Sequence, residues 1–215
     1  TADSTSPRGG SQRAKCSRLR AKNSACSAAC AGVASSIIES TFTDNMADKD
    51  GGAVGISGCG FCGTTLTVQG GSMTGNVAGA NGGALAQGPA ADGTITFKGG
   101  KYSGNTAAFA GGALRLQGGT GITVNVTGAS FDNNVAGTNG GAILSGFLDL
   151  AVERSTFTSN RAAGNGGAIA TNATIFGGPG GDKAITILGS TFAGNQAAGN
   201  GGAIDHPLQP GFGTP

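Results

Sequence analysis

Tryptophan is absent from this 215-residue chain, tyrosine and histidine occur once each, and only 11% of residues are charged. An ordinary globular domain carries about twice that charge, so a fully solvated mosaic of acidic and basic side chains is excluded. With one histidine, chemistry that needs two imidazoles has no second candidate. No run approaches the ~18–20 apolar residues that a membrane-crossing helix requires, so no transmembrane segment is expected. No secretory signal opens the sequence, as expected of a mature chain or a fragment. What the chain has in excess is glycine, 44 residues. These lack the Gly-X-Y period of collagen, and recurring apolar positions separate the chain from a disordered linker.

The glycines belong to a repeat. Six times the chain reads aromatic-x-x-Asn-x-Ala-x-x-x-Gly-Gly-Ala-aliphatic. The lead position is Phe42, Met73, Tyr102, Phe131, Phe157 or Phe192, and three residues later stands Asn45, Asn76, Asn105, Asn134, Asn160 or Asn195. Ala follows five after the lead, and Gly-Gly-Ala begins nine after it, closing on Val54, Leu85, Leu114, Ile143, Ile169 or Ile204. Self-similarity at about thirty residues marks a stacked architecture in which one repeat alone cannot bury its apolar face.

Apolar residues also recur before each lead. Ile37, Val68, Phe97, Val126, Val152 and Ile187 stand five before it, and Leu66, Ile95, Val124, Leu150 and Ile185 stand seven before, with Ser35 in the first repeat. Seven and five share a strand face, but five is odd, so an inward lead residue requires a bend between them. Gly70-Gly71, Gly99-Gly100, Gly128 and Gly189 lie at that place. The spacing predicts about three short strands and three turns per repeat. The fold expected is an all-β, right-handed parallel β-helix of six coils, its hand taken from the bias of parallel crossovers. At a strand spacing of ~4.8 Å the stack is roughly 29 Å long. The asparagines are expected to form a hydrogen-bonded ladder, and the lead residues a stacked column.

The organisation expected is a basic, cysteine-containing and partly helical capping arm over 1–34, the repeats over 35–205 and a Pro/Gly-rich tail over 206–215. Residues 1–30 hold six bases against Asp3 alone, and the remainder seven bases against ten acids. Such an arm can neutralise nucleic acid, a membrane surface or an acidic partner. Without interleaved aromatics it has nothing on which bases would stack, and no nucleic-acid partner is expected. Length variation between repeats is confined to Ser57–Thr65, Gly88–Thr94, Gln117–Thr123, a short stretch near Gly146 and Thr171–Ala184. These inserts fall on one edge of the rod, where a solenoid places recognition.

The pairing of Phe-x-x-Asn with Gly-Gly-Ala-(Ile/Leu/Val) resembles the repeats of chlamydial polymorphic outer-membrane proteins. Phe131-Asp-Asn-Asn134 with Gly140-Gly-Ala-Ile143 is a full match. So are Phe157-Thr-Ser-Asn160 with Gly166-Gly-Ala-Ile169 and Phe192-Ala-Gly-Asn195 with Gly201-Gly-Ala-Ile204. Met73 and Tyr102 depart from the family's Phe. The resemblance spans about residues 35–205 and implies a surface-exposed β-helix passenger whose motifs contribute to adhesion and self-association.

Sites for other chemistry are sparse. The eleven acids do not recur at equivalent positions of successive repeats, as the carboxylate cluster of a polysaccharide lyase or hydrolase would require. Asp44, Asp48 and Asp50 miss the EF-hand spacing and read as a polar turn, so no metal is expected. His206 reads as a surface or cap residue, and Gly177–Gly181 lacks the Lys-Ser/Thr of a phosphate loop. Cys16, Cys26, Cys30, Cys59 and Cys62 are disulfide candidates that would pin the arm to the first insert, with one left over. Asn125-Val-Thr127 and Asn172-Ala-Thr174 are N-glycosylation candidates. The function expected is non-enzymatic and extracellular or at the cell surface, with no catalytic residue and no cofactor. It is a structural subunit that self-associates end to end into a fibre or layer. The rival readings are an adhesin holding a glycan or cell-surface receptor at the insert edge, and a polysaccharide-active enzyme.

Overall fold

The computed structural model describes residues 34–56, 63–89, 92–118, 121–146, 148–172 and 184–207. All 24 strands among them are parallel to their neighbours and form four sheets of six strands each. Every repeat supplies one strand to every sheet. In the first repeat these are β1 (Ala34–Ile38), β2 (Thr41–Thr43), β3 (Met46–Ala47) and β4 (Val54–Ile56). The chain is an all-β parallel solenoid. Among the described residues there is no helix, and none that could cross a membrane. The expected helical cap lies outside the described residues.

The expectation of three strands per repeat is corrected to four. The added strand is two residues long, Met46–Ala47 and its equivalents, lodged between the Asn corner and the Gly-Gly corner. A two-residue strand shows no period-2 alternation, so the pattern that reveals the longer strands is silent there.

Three corners of each coil turn through left-handed backbone. In the third coil they are Gly99 (φ 67°), Gly104 (φ 63°) and Gly111 (φ 68°). Where glycine is missing, the same corners are held by Glu39, Asp44, Asn133, Arg154 and Ser159 with φ between 46° and 55°. The first corner resolves the parity conflict in the sequence: Leu66 and Val68 point inward before it, and Met73 points inward after it. In the first five coils the second glycine of Gly-Gly has a different duty. A Cβ on Gly112 would lie 2.0 Å from the carbonyl oxygen of Gly141 in the next coil, so the coils can approach only without it.

Registers are strict. Phe42 pairs with Met73, Met73 with Tyr102, Tyr102 with Phe131, Phe131 with Phe157 and Phe157 with Phe192. From Tyr102 onward the rings stack at centroid separations of 4.7, 4.7 and 4.8 Å, within 10° of parallel. Each such pair contributes about 0.5–1.5 kcal/mol beyond the area it buries. Phe97, on the strand before the first corner, meets Tyr102 just after it edge-on at 6.0 Å, joining two neighbouring sheets through the core. Leu85, Leu114, Ile143 and Ile169 fill it from the β4 sheet.

Candidate functional site: the end coils

The asparagine column is the most regular polar feature of the molecule. Asn76, Asn105, Asn134 and Asn160 are fully buried. Asn105 donates from Nδ2 to Asn134 Oδ1 (2.9 Å) and to the carbonyl of Met73 (2.9 Å), and its backbone N–H donates to the same Oδ1 (3.0 Å). The pattern recurs from Asn45 to Asn76, Asn76 to Asn105, Asn134 to Asn160 and Asn160 to Asn195. From Asn76 onward each side-chain oxygen takes two bonds from the coil before it, which satisfies the polar atoms of the buried amides.

A second ladder lies eight residues after each lead, at Asp50, Asn81, Ala110, Asn139, Asn165 and Asn200, and sequence reasoning missed it. Asn81 donates from its backbone N–H (3.0 Å) and Nδ2 (2.9 Å) to Asp50 Oδ1. The Ala110 N–H donates to Asn81 Oδ1 (3.2 Å), that of Asn165 to Asn139 Oδ1 (2.8 Å), and that of Asn200 to Asn165 Oδ1 (2.9 Å). Here the later coil donates to the earlier, opposite in sense to the first ladder. Asx at five of six equivalent positions was the available signal; Ala110 breaks it.

Both ladders stop at the end coils with bonding capacity unused among the described residues. Among the described residues Asn45 Oδ1 accepts no hydrogen bond, whereas every later asparagine of its column accepts two. At the other end the Asn195 N–H has no acceptor among the described residues, and its Nδ2 donates only to the Phe157 carbonyl (2.9 Å). Asn200 Oδ1 likewise accepts nothing there. The apolar columns end the same way: Ile37, Phe42, Ile187 and Phe192 pack against the core but remain half-buried.

The other candidates are scattered. Asp44 sits at a left-handed corner, Asp48 is exposed, and Asp50 serves the second ladder with Arg115 3.9 Å away. Among the described residues no three His, Cys, Asp or Glu side chains converge as a metal site would need. His206 Nδ1 lies 2.7 Å from Thr171 Oγ1, an end-coil contact. Asn125 lies in Gly121–Thr127 beside Thr96 and Ala151, and Asn172 ends the strand Ile169–Asn172. All five cysteines lie outside the described residues, as do 173–183 of the longest insert.

The family model for the Chlamydia polymorphic membrane protein repeat matches residues 128–146, 154–172 and 189–206. Each match opens on the left-handed corner residue three before the lead Phe and ends at the β4-type strand or just beyond it. No curated protein and no solved structure matches the chain. The chain is therefore a parallel β-solenoid, three of whose six coils match the Chlamydia polymorphic membrane protein repeat.

Proposed function

We propose that the protein is a non-enzymatic structural component of a cell surface or extracellular layer, working by end-to-end association of its coils into a fibre or sheet. The observation that carries this is the state of the end coils. Solenoids in solution normally cover their terminal strands with a polar or irregular cap. Here the first and last coils keep the same inward aromatic, asparagine and aliphatic residues as the middle ones, with ladder atoms unbonded among the described residues. The repeat type supports a surface setting. The uneven charge supports the association itself, since a basic arm of net +5 precedes a repeat region of net −3. Negative-stain microscopy and analytical ultracentrifugation of the full chain at micromolar concentration test this reading. Rods several times longer than one coil stack are expected, and deletion of residues 1–34 is expected to shorten or abolish them. A monodisperse monomer at every concentration would overturn the reading.

A further inference from the structure

We infer that the association is polar and in register: the last coil of one copy seats on the first coil of a second copy as though it were the next turn of the same solenoid. The inference rests on the end-to-end reading and adds its geometry, its direction and the residues that decide both.

Hydrogen-bond complementarity fixes the direction. At the C-terminal face the first ladder offers donors, the Asn195 N–H and a hydrogen of its Nδ2. At the N-terminal face it offers an acceptor, Asn45 Oδ1. The second ladder is reversed, with Asn200 Oδ1 as acceptor at the C-terminal face and the Asp50 N–H as donor at the other. Seating last coil on first coil pairs both. Two identical faces would set the Asn195 donors against each other and leave a buried amide unsatisfied.

The side-chain columns agree. Four residues before the lead the column reads Ile38, Gln69, Lys98, Thr127, Glu153 and Leu188, all outward. Only its two ends are apolar, and they are 55% and 54% exposed. A polar junction places Leu188 of one copy directly beside Ile38 of the next, a cross-strand apolar pair. Serine two before the lead occurs in the fifth, sixth and first coils alone, and Ser155 N–H donates to Ser190 Oγ (3.1 Å). Ser40 Oγ binds the Ile38 carbonyl (2.9 Å) as Ser155 Oγ binds that of Glu153 (2.9 Å), so it is already turned to take the next bond, from Ser190 N–H. The Phe131–Phe157–Phe192 stack likewise continues into Phe42.

Gly202 supplies the sharpest sign. A Cβ on the equivalent Gly83, Gly112, Gly141 or Gly167 would lie 2.0–2.1 Å from a carbonyl oxygen of the next coil. At Gly202 it would meet nothing closer than Asn195 O at 3.7 Å among the described residues, so nothing described within one copy requires glycine there. A stacked first coil brings the Gly52 carbonyl to that place and supplies the requirement.

Sedimentation velocity of full-length variants tests the junction. Gly202→Ala is expected to melt as the wild type does when dilute, to need at least tenfold more protein to associate, and to stop wild-type growth when mixed in. The pair Ile38→Lys with Leu188→Lys is expected to weaken association about five- to tenfold relative to the pair Ile38→Glu with Leu188→Lys, because like charges would sit opposite each other. Gly202→Ala associating like the wild type, or equal behaviour of the two charge variants, overturns the polar register while end-to-end association stands. A wild type that never associates overturns both.

Discussion

Tyr102 is the one residue of the aromatic column whose chemistry conflicts with its place. Its hydroxyl is buried and has no hydrogen-bond partner among the described residues. Burial therefore pushes its ionisation well above the ordinary tyrosine value of 10.0. An orphaned buried hydroxyl costs about 1–3 kcal/mol. Tyr102→Phe keeps the ring on Phe131 and removes that cost, so urea denaturation should show a gain of roughly 1–2 kcal/mol. The pH dependence follows in sign. The unfolded chain releases the proton above pH 10 and the folded chain holds it, so the wild type loses stability as pH rises past 10. The loss approaches about 1.4 kcal/mol per pH unit. This is the only tyrosine, and the phenylalanine variant should lack that part of the alkaline loss. Identical alkaline profiles would place the hydroxyl in water.

At the scale of the element, the ladder concentrates its cost in the middle of the stack. Asn105→Ala removes an acceptor from Asn76 and donors from Asn134 and the Met73 carbonyl, all buried. A loss of about 3 kcal/mol is expected in chemical denaturation. Asn45→Ala, at an end where only the donor side is used, should cost about 1 kcal/mol. Equal costs would mean that the column is not a chain of mutually dependent bonds. This column was legible in the sequence because its spacing from the lead residue never varies, as were the aromatic and Gly-Gly columns. The two-residue strand at Met46–Ala47 was not, being too short to alternate. Nor was the second ladder, because Ala110 and Asp50 disguise a position whose function is simply to accept an N–H. The corners filled by Glu39 and Arg154 show a further limit. Stacking above and below can hold a residue in left-handed backbone that its own propensity disfavours. Whether the columns continue beyond the end coils is illegible from spacing alone, since a column looks the same in either case.

For the whole molecule, each coil touches only its neighbours, so stability is a sum of coil terms and nearest-neighbour interfaces. In a lone chain the second to fifth coils each have two interfaces and the first and sixth have one within the described structure. Amide exchange in dilute solution should therefore be slowest around Tyr102–Asp132 and faster by an order of magnitude or more at Thr41–Thr43 and Thr191–Ala193, which fray first. Association changes this profile in a way that depends on direction. If last coil seats on first coil, both ends gain the missing interface in the same step, and protection at Thr41–Thr43 and Thr191–Ala193 should rise together toward the level of the interior. Pairing of like faces would raise one end and leave the other as it was. Association through the insert edge would leave both unchanged, because the strand amides there already face neighbouring coils. Hydrogen exchange read before and after assembly thus separates the three geometries with the wild-type chain alone.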